Sequence, residues 1–199
     1  MLAEPGIRPE AGERSAVLDE AGLVRRAKAL DERAWEELFH EHYQRLCTYV
    51  RYRVGDSTAA EDLASQVFAE AVAGIGRYEY RGIPIRAWLY RIARNLSNDY
   101  IRKERGRGAG IRPNEQPSPL RLVERALEAQ QLTAALGLVT DEQRQVLVLR
   151  FLNELSTVET ARVMGKSTGA IKTLQHRALA AARRALAAID PPAWGTSDE

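Results

Sequence analysis

Cysteine is almost absent from this sequence, since Cys47 is the only one among 199 residues. A single cysteine excludes an internal disulfide and any zinc site built from several thiolates. Cys47 lies between Leu46 and Tyr49 in a helical pattern. It is therefore predicted to be a buried and unreactive thiol, and a redox switch is the alternative.

Long apolar runs and enzyme motifs are missing as well. No run approaches the ~20 apolar residues that cross a bilayer, and the first residues, "MLAEPGIRPEAGERSA", contain no signal-peptide core. There is no glycine-rich loop of the P-loop type. The three histidines, His40, His42 and His176, form no metal-ligand set with a carboxylate cluster. The sequence predicts a cytoplasmic protein that is not an enzyme and uses no cofactor or metal.

Acidic residues are missing from one long segment. Residues 160–189 contain no Asp or Glu but six Lys and Arg, and residues 81–112 contain nine basic residues against two acids. The whole chain nevertheless has a net charge of only +2. Two separated basic segments on a nearly neutral chain indicate an extended anionic partner that is contacted in two places.

The apolar residues recur at spacings of three and four, and no strand-like alternation is present, which predicts an all-α fold. The segment "RGRGAGIRPNEQPSP", residues 105–119, is rich in glycine and proline. It is predicted to be a flexible linker between two small helical domains. A first short helix is expected from about Leu18 to Leu30, after a disordered start.

Helix boundaries are predicted from capping residues. Asp31 is expected to cap a helix whose apolar face includes Phe39. Thr58 with Glu61, and Ser156 with Glu159, have capping-box spacing. A further long helix is expected from about Arg86 to Glu104.

The C-terminal part has the order of a helix-turn-helix: a short helix, Gly165 at the turn, and a longer basic helix over about 168–189. Such a motif inserts the start of its second helix into the DNA major groove. Ile171 and Ala178 are expected to face the first helix. The residues predicted to contact DNA are Ser167, Thr168, Lys172, Thr173, His176 and Arg177. The alternative is a solvated cationic face, and for Arg183 and Arg184 both interpretations stay open.

The other basic segment combines the loop "RYEYRGIPIR" with the helix "RAWLYRIARNLSNDYIRKE". Aromatic rings can stack on unpaired bases, while asparagine contacts base edges and arginine contacts phosphates, so this segment suits single-stranded nucleic acid. Tyr78, Tyr80 and Trp88 have an alternative role as core aromatics. The predicted contacts are Tyr78, Tyr80, Arg81, Arg86, Trp88, Arg91, Arg94, Asn95 and Asn98.

Taken together, three segments closely resemble an extracytoplasmic-function sigma factor (group 4, sigma-70 family) of bacterial RNA polymerase. They read "AEDLASQVFAEAV", "WLYRIARNLSNDYIRK" and "DEQRQVLVLRFLNELSTVETARVMGKSTGAIKTLQHRAL". The resemblance implies a region 2 domain at 23–105 and a region 4 domain at 118–190. A partly disordered extension at 1–22, a linker at 106–117 and a tail at 191–199 complete the expected organisation.

The resemblance also implies roles for individual residues. The loop and helix around 78–98 would melt and read the −10 promoter element, and the final helix would read the −35 element. The "DEQRQVLVLRF" segment would hold the β flap of core RNA polymerase. An anti-sigma factor is a common partner in the family and is left open here. Contacts with the β′ clamp helices are expected from Glu61, Asp62, Ser65, Gln66 and Phe68.

Two rival functions remain. A stand-alone helix-turn-helix regulator with a helical dimerisation or sensing domain would explain the C-terminal part but not the basic aromatic segment. A nucleic-acid enzyme such as a nuclease is disfavoured, because "HEH" at 40–42 places its histidines on different helix faces.

Overall fold

The computed structural model describes residues 11–106 and 134–189, here called the N-terminal and C-terminal halves, and the regular structure in these ranges is entirely helical. This confirms the all-α prediction. A 3₁₀ turn, Ile75–Arg77, follows α3, and a π-helical turn, Val148–Leu152, follows α5. Within the described ranges no helix is long and apolar enough to cross a membrane. The helices are α1 Ala11–Lys28, α2 Glu32–Val54, α3 Ser57–Gly74, α4 Ile85–Gly106, α5 Asp141–Leu147, α6 Thr157–Met164 and α7 Thr168–Ile189.

Two sequence expectations concern segments at the edges of the described ranges. Helix α1 begins at Ala11, earlier than the predicted start at about Leu18. The linker predicted at 106–117 and the start of the domain predicted at 118–190 lie beyond Gly106 and before residue 134, outside the described residues. The domain boundaries at 23–105 and 118–190 therefore stay a prediction.

Capping explains where the N-terminal helices begin and end. Asp31 caps α2 by accepting a hydrogen bond from the backbone N–H of Arg33, and Gly55 ends α2 in the left-handed conformation with φ of 77°. Helix α3 is capped by Asp56, which accepts from the N–H of Ala59 at 2.8 Å. The predicted Thr58–Glu61 capping box is wrong, because α3 begins at Ser57, which makes Asp56 the N-cap residue and places Thr58 inside the first turn.

The C-terminal half contains the predicted helix-turn-helix. The capping box at the start of α6 is confirmed, since the N–H of Ser156 donates to Glu159 at 2.7 Å and the N–H of Glu159 donates to Ser156 at 3.2 Å. Gly165 makes the turn with φ of 65°. Ile171 and Ala178 of α7 are fully buried, as expected.

The core of the N-terminal half lies between α2, α3 and α4. Leu38, Leu46 and Leu89 are completely buried there, and the rings of Tyr49 and Tyr90 meet edge to face at 5.4 Å. Cys47 is a free, buried thiol, and burial raises its pKa above the usual value. A protonated buried thiol is a poor nucleophile, which agrees with the prediction that Cys47 is buried and unreactive.

Helix α4 receives its N-terminal cap from a distant residue. A carboxylate oxygen of Glu20, on α1, accepts a hydrogen bond from the backbone N–H of Ile85 at 2.6 Å. Burial raises the pKa of this carboxyl above 4.5, although the hydrogen bond from Ile85 opposes the shift. The contact fixes the loop before α4 against α1, because the first N–H groups of a helix otherwise need a partner.

We expect Glu20→Ala to lower the free energy of unfolding by about 1 kcal/mol, the usual cost of losing a helix cap. Glu20→Gln is the control, since its amide oxygen can still accept from Ile85. The raised pKa means that ionisation of Glu20 costs the folded state some stability as pH rises past 4.5, and the Gln variant lacks this loss. Urea unfolding followed by circular dichroism measures both effects. Equal stability of the Ala and Gln variants would contradict the assigned cap.

Candidate nucleic-acid interface

The exposed side of α7 presents every residue that was predicted to contact duplex DNA. Lys172, His176 and Arg177 project on the side opposite the buried Ile171. Lys172 and Arg177 have no ion-pair partner among the described residues, so their charges are available to an external anion. Ser167 caps α7 by accepting from the N–H of Ala170 at 3.2 Å, which leaves other N–H groups of the first turn open to a phosphate. The exposed set is Ser167, Thr168, Lys172, Thr173, His176 and Arg177.

Tyr78 and Trp88 form an aromatic pair beside the start of α4. Their ring centroids lie 4.8 Å apart with the planes 31° from parallel, and both side chains are half-buried. The hydroxyl of Tyr78 donates to the carbonyl of Ile83 at 3.2 Å, and burial raises the pKa of Tyr78 to about 12. One side of the pair packs against the core and the other side is open. The rings can therefore act as core aromatics and still be accessible to an unpaired base.

The aromatic pair lies in the wall of a cavity of about 440 Å³. Arg81 and Arg91 line it as well, and Arg81 is paired with Glu79 at 2.5 Å. The size is within the range of ligand pockets, and an aromatic surface beside several guanidinium groups suits a base with its phosphate. The cavity therefore joins four of the predicted residues into one site.

Two further arginines, Arg77 and Arg162, line the same cavity. Arg77 is the first residue of the predicted loop "RYEYRGIPIR", so its proximity could have been anticipated. Arg162 comes from α6 in the C-terminal half, and no local sequence signal places it beside a loop some eighty residues earlier. The two halves thus meet at the edge of this site.

The residues of α4 that were predicted to contact single-stranded nucleic acid lie on two sides of the helix. Arg91 and Asn95 are exposed. By contrast, Arg86 binds Glu159 with contacts of 2.5 and 3.0 Å, and Arg94 donates to Gln145 at 3.1 Å. Asn98 accepts from Arg53 at 2.7 Å, and Tyr80 is half-buried against the core. In this conformation Arg86, Arg94 and Asn98 are occupied by protein partners.

A separate surface on α2 and α3 carries the residues expected to contact polymerase. Glu61, Asp62, Ser65 and Gln66 are exposed, whereas Phe68 is only 8% exposed. Phe68 lies against Phe39, with the ring centroids 5.0 Å apart, and Phe39 stacks on Tyr43 at 4.5 Å.

Phe39 is the solvent-exposed aromatic residue of this surface. It is 43% exposed, so the expectation that it belongs to the core face of α2 is wrong. It lies at the edge of the apolar stripe, and helical spacing alone does not show where packing against α3 ends. We call Phe39, Tyr43 and Phe68 the aromatic patch.

Two exposed apolar residues stand at the end of the segment "DEQRQVLVLRF" and directly after it. Phe151 is 51% exposed and Leu152 is 37% exposed, and both lie in the π-helical turn after α5. The wider backbone of this turn places them on the surface while Val148 and Leu149 stay buried. An exposed apolar pair of this kind suits contact with another protein.

Among the described residues, no group of three or more His, Cys, Asp or Glu is arranged to hold a metal ion. His40 is exposed and His42 is buried, so the two lie on different faces of α2 as predicted. Burial lowers the pKa of His42. These histidines are accounted for by packing and solvent.

Comparisons with known proteins agree with this arrangement. The family described as Sigma-70 region 2 matches residues 38–107, and the family described as Sigma-70, region 4 matches residues 135–184. The first range contains the exposed side of α4, the aromatic patch and every residue named above at the cavity except Arg162. The second contains the helix-turn-helix.

Individual proteins extend the likeness over most of the chain. The ECF RNA polymerase sigma factor BldN of Streptomyces coelicolor is 40% identical over 185 residues, which is 90% of this chain and 69% of BldN. The structure of CnrH with the cytosolic domain of CnrY covers 85% of this chain and 97% of CnrH, at 25% identity and a TM-score of 0.68.

The sigma factor RpoE of Bartonella quintana, solved with the anti-sigma factor NepR, shares the fold at 24% identity and a TM-score of 0.65. The matched region covers 78% of this chain and 97% of the RpoE chain. With both sigma regions matched in order, and with a relative as similar as BldN, this chain belongs to the extracytoplasmic-function sigma factors of bacterial RNA polymerase.

Proposed function

We propose that this sigma factor directs core RNA polymerase to its promoters through two surfaces, the exposed side of α7 for the −35 element and the cavity with the exposed side of α4 for the −10 element. The observation that carries this assignment is the presence of two separate cationic surfaces on one chain. The domains at 23–105 and 118–190 correspond to regions 2 and 4, which the matched ranges support.

The −35 element is read as duplex. The start of α7 enters the major groove, where Lys172 and Arg177 pair with guanine acceptors or phosphates. Ser167 and Thr168 place the free N–H groups of the helix start against a phosphate. The hydroxyl of Thr173 donates to the carbonyl of Gly169 at 3.2 Å. Thr173 therefore offers the DNA its methyl group and its hydroxyl oxygen as an acceptor.

The −10 element is read as single strand. An unpaired base enters the cavity and stacks on Tyr78 or Trp88, while Arg91 and Asn95 contact the backbone and a neighbouring base edge. Each base held this way stabilises the melted state, so separation of the strands needs no ATP. Because the two surfaces are tethered, two weak contacts give one tight complex through effective concentration.

Polymerase is contacted through surfaces away from the DNA. The aromatic patch and the exposed Glu61, Asp62, Ser65 and Gln66 of α3 bind the β′ clamp helices, with Phe68 supporting Phe39 from below. Phe151 and Leu152 contact the β flap. The protein works in the cytoplasm with its polymerase, and the NepR complex of RpoE supports an anti-sigma factor as a further partner.

The proposal is tested by mixing the full chain with core polymerase. A stable complex on gel filtration, followed by specific start sites in run-off transcription from a genomic fragment library, is the expected result. Failure to form the complex would instead favour the stand-alone regulator. The enriched start sites also supply the promoter needed for the following measurements.

We expect Lys172→Ala with Arg177→Ala to weaken transcription from the cognate promoter, because each base-edge contact contributes about 1–3 kcal/mol, roughly 5- to 150-fold. The control is Arg183→Ala with Arg184→Ala, which removes the same charge from the far end of α7. Run-off transcription measures both. An equal loss in the two double variants would show that charge, rather than these positions, drives binding.

We expect Arg91→Ala with Asn95→Ala to impair open-complex formation while leaving −35 duplex binding intact. Arg102→Ala is the control, since Arg102 lies on the same helix and is paired with Asp99 at 2.8 Å. Permanganate reactivity of promoter thymines reports melting, and gel shift reports duplex binding. Normal thymine reactivity in the double variant would refute the −10 assignment.

We expect Phe39→Ala to weaken binding to core polymerase by about tenfold, as befits an exposed aromatic at a protein interface. Leu138→Ala removes an apolar side chain that is 67% exposed in the C-terminal half and serves as the control. Fluorescence anisotropy with labelled chain and core polymerase gives both affinities. Identical affinities for the two variants would remove the aromatic patch from the polymerase contact.

A further inference from the structure

The cavity beside the start of α4 carries more positive charge than one DNA nucleotide can neutralise. Arg77, Arg81, Arg91 and Arg162 line it, together with the carboxylate of Glu79. Four cations and one anion leave three net positive charges. A DNA strand carries one negative charge for each nucleotide, so a base that enters the cavity brings little charge with it. A ligand that concentrates several negative charges beside one base matches the cavity better.

Three of the four arginines are available to such a ligand. Arg81 is paired with Glu79 at 2.5 Å, so one cation is already neutralised by the carboxylate of the cavity. The side chains of Arg77, Arg91 and Arg162 are exposed and have no ion-pair partner among the described residues. A guanidinium binds phosphate through two parallel N–H donors. The three unpaired arginines are therefore all suited to phosphate groups.

Arg162 distinguishes this cavity from a surface built only to hold a DNA strand. It lies on α6, in the C-terminal half, and belongs to neither set of residues predicted to contact DNA. Burial is the main cause of the raised pKa of Tyr78, and the positive charge of Arg162 acts against it. The guanidinium of Arg162 therefore lies close enough to Tyr78 for one ligand to contact both.

The Tyr78–Trp88 pair provides a surface for the base of the same ligand. The hydroxyl of Tyr78 is fixed by its hydrogen bond to the carbonyl of Ile83 at 3.2 Å. The Trp88 ring rests against α3, where a Cβ atom at Gly74 would lie 3.4 Å from it. Both rings are thus held in place before a ligand arrives, which lowers the entropic cost of stacking a base on them.

We propose that the cavity binds a free purine nucleoside diphosphate, with the base on the open side of the Tyr78–Trp88 pair and the phosphates against Arg77, Arg91 and Arg162. This ligand carries about three negative charges at neutral pH, which match the three unpaired arginines. The cavity volume of about 440 Å³ is within the range of small-molecule sites. The site goes beyond promoter recognition, because its ligand is not part of a DNA strand and contacts both halves of the chain.

The test uses the full chain without polymerase. Isothermal titration calorimetry measures binding of ADP, of inorganic pyrophosphate and of a twelve-nucleotide oligothymidylate in separate titrations. We expect a single ADP site per chain. Pyrophosphate is expected to bind at least tenfold more weakly than ADP, because it lacks the base that stacks on the rings.

The role of Arg162 is tested by Arg162→Ala, which is expected to weaken ADP binding about tenfold through loss of a charge-assisted contact. The matched control is Arg183→Ala, which removes the same charge from another exposed position of the C-terminal half and is expected to bind ADP like the wild type. Neither arginine has an ion-pair partner among the described residues, so both variants are expected to fold. Circular dichroism verifies that the helix content is unchanged.

Four results would overturn the inference. They are the absence of ADP binding when the oligothymidylate binds, pyrophosphate binding as tight as that of ADP, unchanged ADP binding in Arg162→Ala, and an equal loss in Arg183→Ala, which would reflect net charge alone. The ADP titration contains neither promoter DNA nor polymerase. An incorrect −10 assignment would therefore leave ADP binding in place, and the absence of ADP binding would leave the permanganate result for Arg91→Ala with Asn95→Ala unchanged.

Discussion

The rest of the structure depends on helix α4, because three of its sides have different roles. One side packs in the N-terminal core, one contacts the C-terminal half and one faces solvent. Leu89 and Ala93 are completely buried in the N-terminal core. The row that contains Arg86 and Arg94 faces the C-terminal half, and Arg91 and Asn95 face solvent. The same cationic side chains that were predicted to contact nucleic acid bind a carboxylate and an amide of the C-terminal half. One helix therefore holds the N-terminal core together and joins it to the other half of the chain.

Local signals in the sequence predicted much of the fold. Asp31, Ser156 with Glu159, and Gly165 stand where the helices begin and end, since a cap depends only on residues within a few positions. The exposed side of α7 follows from the same reasoning, because burial of Ile171 and Ala178 fixes which way Lys172 and Arg177 point. The exception at α3, where Asp56 caps in place of Thr58, shows that two candidates only two positions apart can compete for one helix start.

Local sequence signals did not predict the contacts between residues that are far apart in the chain. Arg86 and Glu159 are separated by 73 positions, and nothing local to either residue encodes the pairing. Arg162 reaches the cavity only because α6 packs against α4. Phe39 was misassigned because an apolar stripe on α2 shows which side faces the core but not where α3 stops covering it. These cases share one cause, which is that tertiary packing decides exposure at the edges of an amphipathic helix.

The surfaces differ in whether the described conformation leaves them open. The aromatic patch and the exposed side of α7 are uncovered, whereas the row of α4 that contains Arg86 is covered. The aromatic patch and the exposed side of α7 are therefore accessible to a partner in this conformation, whereas the guanidinium groups of Arg86 and Arg94 are already bound within the chain. Any partner that uses Arg86 or Arg94 has to displace Glu159 or Gln145, because these side chains occupy the two guanidinium groups.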